Sequence, residues 1–382
     1  MFRKTLLFVC VLALVATAGF AQTPPYTKTI IVGDTGNPVL NGTNLLAAIA
    51  TPATPSATDR WLVFVEPGIY DIAASTLTMR DYVDLQGSGR NSTVITSFNA
   101  VTITAPAGIS AEIRDLTVAN DRNFQGGGTG ILIQTEEFRV SVVNVEVQNV
   151  TDATGIEVQT PFGRPRLLQV FPSVSGSVTA TGLRVQSGGV IVNEMFVFIL
   201  SSSSGANTGI FVQGLLESQL GLVNGFVSGS SAQNVGIEVV EANPVIRNNS
   251  WSVIGSGNAD GLGLLVSTPN GRPSAPVVRE TAFQGDGTTT SAGARLTGVA
   301  ATTFQQSLLD GGIGVGIEAI DTSNTQVDVS VVEGALLSLR ATALTTLNIG
   351  GTKLNGTRFV TGISQCVNTW DGVYLPIPNG PC

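Results

Sequence analysis

The sequence predicts an all-β protein, a single-stranded right-handed parallel β-helix of about ten rungs with a short N-terminal capping helix. Two observations predict this fold class: a short apolar motif returns at a nearly fixed interval, and each copy alternates like a strand. The clearest copies are Thr129–Gln134, Thr154–Gln159, Thr181–Gln186 and Thr208–Gln213, whose glycines lie 25, 27 and 27 residues apart. A period in the twenties leaves room for two or three short strands with turns, which is one rung of such a coil.

The alternation within each copy predicts which side chains face the core. Residues one and three positions after the glycine are aliphatic, as Ile210 and Val212 are, while those two and four positions after it are mixed or polar. That is strand periodicity, with one face inside and one outside. Short strands of this kind bury their apolar face by stacking in parallel about 4.8 Å apart. Looser copies continue as far as Gly316.

Two further repeated residue types have expected structural roles. The glycine before each strand is expected to supply a bend. An asparagine follows the second apolar run of several repeats, and stacked asparagines at turns form amide ladders. The asparagines expected to stack are Asn144, Asn193, Asn224 and Asn248.

Residues 1–21 have the pattern of an export signal. Arg3 and Lys4 form a basic start, an apolar stretch runs from Leu6 to Val15, and small residues precede a cleavage site after Ala21. The apolar stretch is too short to favour a membrane span, and no other hydrophobic span follows it. We therefore expect an exported protein that is extracellular, periplasmic or attached to the cell surface.

The composition excludes several classes of function. Removing Arg3 and Lys4 takes the net charge from −8 to −10, which argues against nucleic acid or an anionic membrane as a partner. The chain contains no histidine, so zinc sites and histidine-based catalysis are not expected. We expect no cofactor and no metal; Ca²⁺ is an option only under the lyase alternative. Cys366 and Cys382 are expected to form one disulfide near the C-terminus.

The domain organisation follows from the N-terminal segment and the limits of the repeat. Residues 22–60 form an N-terminal segment with a capping helix over Asn41–Pro52, for which Asn41 or Thr43 is the N-cap. The β-helix is predicted over residues 61–349. Residues 350–382 are irregular and are predicted to be a C-terminal cap held by the disulfide.

The stretch after the predicted helix resembles the pectin-lyase-like β-helix superfamily. Its members often open with an apolar strand ending in Gly-x-Tyr, which Gly68 and Tyr70 match, followed by a G-x-G-x-x-x-T-x-I stretch. The residues that match this second stretch are Gly87, Gly89, Thr93 and Ile95. The resemblance covers about forty residues closely and implies the fold, since these opening motifs do not carry the chemistry.

The catalytic signatures of these relatives are missing. Pectin esterases carry Gln-Asp-Thr-Leu and Asp-Phe-Ile-Phe-Gly segments, neither of which occurs here. Phe162–Pro165 is similar to their Leu-Gly-Arg-Pro-Trp segment, but Arg166 replaces the aromatic residue. Galacturonan hydrolases use a Gly-His-Gly that a chain without histidine lacks. The acids between Asp310 and Glu333 show no spacing that singles out a Ca²⁺ site.

Two outward columns of sheet residues are the candidate sites. Gln159, Gln186 and Gln213, together with Gln134, form either a structural amide ladder or a surface for sugar hydroxyls. The adjacent column contains Phe211, a candidate ligand contact, and Glu157, Arg184 and Glu238, candidates for acid, base or substrate clamp under an enzymatic reading. The full column is Leu132, Glu157, Arg184, Phe211, Glu238, Leu265, Arg295 and Glu318. Glu157 is expected to pair with Arg184; such exposed pairs are also common on ordinary surfaces.

Two functions remain open from the sequence. The first is a non-catalytic secreted scaffold or adhesin-like protein that binds polysaccharide or a cell-surface glycan. The alternative is a polysaccharide-active enzyme, a pectin or uronate lyase or an esterase, with its site on an outward sheet face. The missing catalytic motifs favour the first.

Overall fold

The fold was analysed in a computed structural model. It describes residues 26–122, 126–201, 205–230, 233–255, 260–287, 290–321, 323–342, 344–373, 375–378 and 380–382. The predicted export signal, residues 1–21, lies outside this part of the chain. Within it, no helix is long and apolar enough to cross a membrane.

The described chain consists of one α-helix and a long succession of strands. The elements up to the end of the longest strands are β1 (Lys28–Val32), α1 (Pro38–Ala50), β2 (Trp61–Val65), β3 (Gly68–Asp71), β4 (Leu77–Thr78), β5 (Val83–Gly87), β6 (Thr93–Ser97), β7 (Val101–Ala105), β8 (Ser110–Asp121), β9 (Gly128–Ile133), β10 (Glu137–Gln159) and β11 (Arg166–Ser187). They are followed by β12 (Ile191–Ser201), β13 (Asn207–Val212), β14 (Gln219–Gly229), β15 (Gln233–Val240), β16 (Val245–Arg247), β17 (Ser250–Gly255), β18 (Asp260–Ser267), β19 (Val277–Arg279), β20 (Ala282–Asp286), β21 (Ala292–Leu296) and β22 (Ala301–Gln305). The last are β23 (Leu308–Asp310), β24 (Val315–Ala319), β25 (Asn324–Asp328), β26 (Val331–Glu333), β27 (Leu337–Ala341), β28 (Thr346–Gly350), β29 (Lys353–Asn355), β30 (Arg358–Val360), β31 (Ile363–Val367), β32 (Thr369–Asp371) and β33 (Pro376–Ile377).

These strands form three parallel sheets that wind around one core. Sheet A contains the predicted motif and runs through β4, β7, β9, the ends of β10 and β11, β13, β15, β18, β21, β24, β27 and β30. Sheet B starts with β1, β2 and β5 and ends with β28 and β31. Sheet C starts with β3 and β6 and ends with β29 and β32. Strands β8, β10, β11, β12 and β14 continue around the corner from sheet B into sheet C. The predicted right-handed parallel β-helix is confirmed.

The inward assignment in sheet A is confirmed. Ile156, Leu183, Ile210 and Ile237 lie in register on successive strands and are fully buried. Each belongs to the single large apolar cluster that fills the coil. The alternation therefore predicted the core face correctly, because a shift of one residue would have turned every one of these side chains outward.

The glycine of the repeat has a different role from the bend that was expected. Gly155, Gly182 and Gly209 lie within strands and close to the corner with sheet C. A Cβ on Gly155 would lie 2.5 Å from the carbonyl oxygen of Gly182, and one on Gly182 would lie 2.7 Å from that of Gly209. The same relation continues through Gly236, Gly263, Gly293 and Gly316. These residues form a glycine ladder that lets consecutive turns approach each other.

The predicted asparagine ladder is wrong. Asn144 pairs with Phe171, Asn193 with Gly221, and Asn224 with Ser250, so these amides do not stack on each other. Instead, the turn between sheets B and C places one residue per rung in the left-handed region, and Asn248, with φ 54°, is one of them. The other corner residues include Val142, Gln169, Glu194, Leu222, Glu280, Gln306 and Val329. Geometry rather than residue type defines this corner.

The capping helix begins earlier than predicted. It spans Pro38–Ala50, and the side chain of Asn37 accepts hydrogen bonds from the backbone N–H groups of Val39 and Leu40. Pro38 suits the first turn because it has no N–H to leave unpaired. Asn41 is buried inside the helix, where its Nδ2 donates to the carbonyl of Ile69 at 3.0 Å. The helix thereby attaches to β3 at the start of the coil.

The parallel ladder extends beyond both predicted limits of 61 and 349. At the start, β1 precedes the helix in the chain and pairs in parallel with β2. At the end, β31 pairs with β28, so Cys366 lies in the coil rather than in a separate cap. The predicted disulfide between Cys366 and Cys382 is present, with Cα atoms 5.3 Å apart. The hydropathy pattern fades at both ends because these outer strands are short and bury few residues.

Candidate functional site

The predicted outward column exists on sheet A. Glu157 lies beside Arg184, Arg184 beside Phe211, and Phe211 beside Glu238 on consecutive strands. Leu132 precedes Glu157. Beyond Glu238 the column continues through Leu265, Arg295, Glu318 and Arg340. Residues immediately before the ladder glycines, such as Thr181 and Thr208, also face this side, since their hydroxyls contact column residues.

The expected ion pair between Glu157 and Arg184 does not form. Glu157 Oε1 accepts a hydrogen bond from Gln159 Nε2 at 2.9 Å, while Arg184 Nη2 donates to Thr181 Oγ1 at 3.1 Å. Within the described residues, no carboxylate lies within ion-pair distance of Arg184, and its buried Nε has no hydrogen-bond partner. The guanidinium Cζ lies 5.9 Å from the centre of the Phe211 ring, beside it as expected. Arg184 is thus a half-buried cation whose hydrogen-bonding capacity is largely unused.

Glu238 lies at the covered end of this stretch. Burial raises the pKa of the Glu238 carboxyl, while the hydrogen bond from Thr208 Oγ1 at 3.3 Å and the positive charge of Arg184 lower it in part. Next to it, Val235, Leu262, Leu265 and Ala292 form a small apolar cluster separate from the main core. This cluster explains the desolvation of Glu238, because apolar surroundings disfavour the charged form.

The far end of the column is a satisfied ion network. Glu318 is 4% exposed and accepts from Arg295 Nε at 2.5 Å and from Arg340 Nη1 at 2.8 Å. Arg295 Nη1 also lies 3.9 Å from Asp260 Oδ2. Arg340 was missed by the sequence analysis because Ser338 replaces the ladder glycine there; its position two residues after that serine was the available signal. Each charge in this network therefore has an opposite charge beside it, unlike Arg184.

The glutamine column is formed only in part. Gln159 Nε2 donates to Gln186 Oε1 at 3.3 Å, and this is the one amide-to-amide bond among the four glutamines in the described structure. A register shift after Val158 places Gln159 opposite Ser187. Gln134 instead borders a cleft of about 360 Å³ at the turn toward sheet B, beside Glu136. The structure therefore brings Gln159 and Gln186 to the Glu157 side of the charged column.

The acids considered for Ca²⁺ do not converge. In the parts of the chain that the structure describes, no three acidic or cysteine side chains lie close enough to hold a metal ion. Glu318 is occupied by two arginines. The Asp310 side chain accepts from the backbone N–H of Gly312, two residues along its own turn.

Comparison with known proteins supports the fold. The chain is similar to the A-module of mannuronan C-5 epimerase AlgE6 from Azotobacter vinelandii, with a TM-score of 0.57 and 16% identity over 90% of this chain and 97% of that one. Weaker similarities are to a DFA-IIIase from Arthrobacter chlorophenolicus A6 (TM-score 0.48, 12% identity, 93% and 97% covered) and to ORF18 of Geobacillus virus E2 (TM-score 0.47, 12% identity, 74% and 63% covered).

No family model matches the sequence, and no curated protein matches it significantly. The parallel pairing of the three sheets and the shared fold of the epimerase module agree on the architecture. The chain therefore has the right-handed parallel β-helix fold.

Proposed function

We propose that this protein is an exported, non-catalytic glycan-binding protein that holds an acidic polysaccharide along the outer face of sheet A. The observation that carries the proposal is the state of Arg184. The other arginines of the column, Arg295 and Arg340, each contact Glu318, whereas Arg184 has no carboxylate partner in the described chain. A half-buried guanidinium without an anion suits a carboxylate from outside, which it can bind in a bidentate manner.

The neighbours of Arg184 complete a binding surface for a sugar chain. Phe211 presents a ring on one side, and the amides of Gln159 and Gln186 offer donors and acceptors for hydroxyls on the other. The net charge, −8 for the whole chain and −10 without Arg3 and Lys4, opposes long-range attraction of an acidic polymer, so recognition rests on local contacts. The epimerase module of the same fold, which by its name acts on mannuronan, gives support to a polyuronate as ligand.

Affinity electrophoresis tests the proposal. The protein is run through native gels containing alginate, polygalacturonate or a neutral glucan, and the dissociation constant is obtained from the retardation. We expect retardation by a polyuronate, and Arg184→Gln should weaken it at least tenfold because a charge-assisted pair contributes about 1.5–3 kcal/mol. The matched control is Arg166→Gln, an exposed arginine on the sheet B part of the same strand β11. Equal losses in both variants, or no retardation, would reject the proposal.

Glu238 supports a second candidate function, a polysaccharide-active enzyme of the lyase or esterase type. Burial raises the pKa of the Glu238 carboxyl, which favours the protonated form that a general acid needs. Arg184 would neutralise the uronate carboxylate while Glu238 transferred the proton. Purified protein is incubated with alginate, pectin and polygalacturonate, and unsaturated ends and released methanol are measured. The enzyme would be favoured if the protein degrades a polymer and Glu238→Gln abolishes this turnover without abolishing polymer binding. If no polymer is turned over, the non-catalytic binding protein stays the favoured function.

Export is part of the proposal. The disulfide between Cys366 and Cys382 is typical of oxidising compartments outside the cytoplasm, and residues 1–21 have the pattern of a removable signal. Fractionation of cells that express the full chain, with N-terminal sequencing of the product, tests this. Recovery of intact residues 1–21 in the cytoplasm would contradict it.

A further inference from the structure

Sheet C carries an aromatic surface on its outer face, on a different sheet from the charged column. We define it by Phe171, Phe196, Phe198 and Phe226, which come from the consecutive strands β11, β12 and β14. Phe198 lies in register with Ser173 and with Phe226. The rings of Phe198 and Phe226 stack with centroids 5.7 Å apart and planes inclined by 21°. The aromatic side chains thus repeat along the coil at the spacing of its turns.

This surface is not part of the core. Its members alternate with Val197 and Ile199, which are fully buried, so the strand geometry turns the phenylalanines outward. Phe196 is 44% exposed. Aromatic side chains that remain accessible in a contiguous group commonly mark a surface that binds something. Core packing does not account for their position, because the inward residues of the same strands already fill the interior.

A cleft at this surface combines aromatic walls with a polar rim. It has a volume of about 250 Å³ and is lined by Phe171, Phe196, Phe198, Pro172, Asn144, Glu146 and Ser173. Flat apolar faces beside an amide, a hydroxyl and a carboxylate match a sugar ring, which has C–H groups on its faces and hydroxyls around its edge. The electron-rich face of a phenylalanine attracts such C–H groups. A purely apolar partner would cover the Glu146 carboxylate at the rim without offering it a hydrogen bond.

The charges decide which kind of sugar fits. Glu146 is the one charged residue among those lining the cleft. The nearby cation, Arg90, packs its guanidinium over the Phe171 ring at 4.3 Å and so covers one face of that ring. A uronate carboxylate placed in the cleft would approach Glu146 and be repelled, whereas a neutral hydroxyl could donate to it. The cleft therefore favours an uncharged sugar.

We propose that the aromatic surface of sheet C is a second glycan-binding site, one that takes uncharged hexopyranose units of a polysaccharide. Phe196 and Phe198 stack against the sugar rings, and Asn144, Glu146 and Ser173 hydrogen-bond to hydroxyls. The chain runs across the strands, so that successive units meet successive aromatic residues. This site does not depend on the proposed function of sheet A, because it uses other residues and the opposite ligand charge.

Isothermal titration of the purified protein with cellohexaose, mannohexaose, laminarihexaose and hexagalacturonate tests the proposal. At least one neutral hexasaccharide should bind, and Phe196→Ala should weaken that binding tenfold or more. The matched control, Leu200→Ala, removes an equally exposed apolar side chain from the same strand and should change the dissociation constant less than twofold. Arg184→Gln should leave the dissociation constant for the neutral hexasaccharide unchanged. A failure of the sheet A proposal can therefore be distinguished from a failure of this one.

Three results would overturn the inference. The first is that none of the neutral hexasaccharides binds, and the second is that Phe196→Ala binds them as the unchanged protein does. The third is a dimer in sedimentation velocity that Phe196→Ala dissociates, because the surface would then join two copies of the chain. Circular dichroism of Phe196→Ala checks that the variant is folded; since the side chain lies outside the core, we expect the unchanged spectrum. If Phe196→Ala were unfolded, Asn144→Ala, at the polar rim, would replace it in the same comparison.

Discussion

Replacing Gly182 by alanine should destabilise the coil strongly. The added Cβ would lie 2.7 Å from the carbonyl oxygen of Gly209 and would also strike the side chain of Val197. Neither neighbour can move freely, because the carbonyl belongs to the next turn of the ladder and Val197 is fully buried in the core. Overpacking of a closed core costs about 1–3 kcal/mol. A weakened backbone hydrogen bond adds about 1 kcal/mol, so we expect a total near 3 kcal/mol.

Thermal and urea denaturation followed by circular dichroism measure this loss. For a coil of this length that unfolds cooperatively, about 1–2 °C of midpoint shift accompanies each kcal/mol, so the midpoint of Gly182→Ala should fall by about 3–6 °C. Hydrogen exchange on the strands around Gly182 reports the same loss if unfolding proceeds in segments rather than in one step.

Gly221→Ala is the matched control. Gly221 is also a buried strand glycine, but the nearest atom to its added Cβ would be the carbonyl oxygen of Val192 at 3.5 Å, an ordinary contact. We expect no loss, and a gain of up to about 1 kcal/mol from reduced freedom of the unfolded chain. If both variants lost similar stability, or if Gly182→Ala were neutral, close approach of the turns would not be the reason for the glycine ladder.

The other predictions concern the corner, the buried acid and the core face. Val329 is 64% exposed and has a φ of 50°. Because the left-handed region costs a branched residue about 1–2 kcal/mol, Val329→Gly should raise the free energy of unfolding by about 0.5–1 kcal/mol. A lower free energy of unfolding in urea would contradict this. Because the folded pKa of Glu238 is raised, its stabilising contribution is present at low pH and is lost as pH rises through that pKa. Glu238→Gln should therefore raise the unfolding midpoint near neutral pH and not in acid. The same midpoint difference between the variant and the unchanged protein at both pH values would refute this. Ile237→Asp should cost several kcal/mol and Gln186→Ala less than about 0.5, and comparable losses would reverse the assignment of inside and outside.

The repeat predicted the fold well because one physical requirement, burial of the same positions in every turn, determines its pattern. Every turn must bury residues at fixed positions, so Ile156, Leu183 and Ile210 keep the same phase, and the outward column follows from theirs. The corner between sheets B and C carries no such requirement on hydropathy. Its left-handed residues include Val142, Leu222 and Glu194, which ordinary turn preferences would not select. The asparagine ladder was wrong for this reason.

The two proposed binding surfaces differed in how much of each could be predicted from the sequence. The order of residues along the charged column could be predicted, but not their contacts, because long side chains choose among neighbours: Arg184 donates to Thr181 rather than pairing with Glu157. The aromatic surface was hidden for another reason. In the stretch from Met195 to Leu200 both faces of the strand are apolar, so the alternation that separates inward from outward residues cannot be seen in the sequence.

The charged column of sheet A has two parts that differ in burial and in ion pairing. From Leu265 onward its residues belong to a buried apolar cluster or to the Arg295–Glu318–Arg340 network, where each charge has an opposite charge beside it. From Leu132 to Glu238 the side chains are half-buried and accessible, a span of four turn spacings or about 19 Å. Glu238 lies at the boundary between these two parts. The apolar cluster on one side desolvates its carboxyl, and Arg184, which has no ion-pair partner among the described residues, lies on the other side. A polymer bound at Arg184 would therefore extend toward Leu132 and end against the covered cluster.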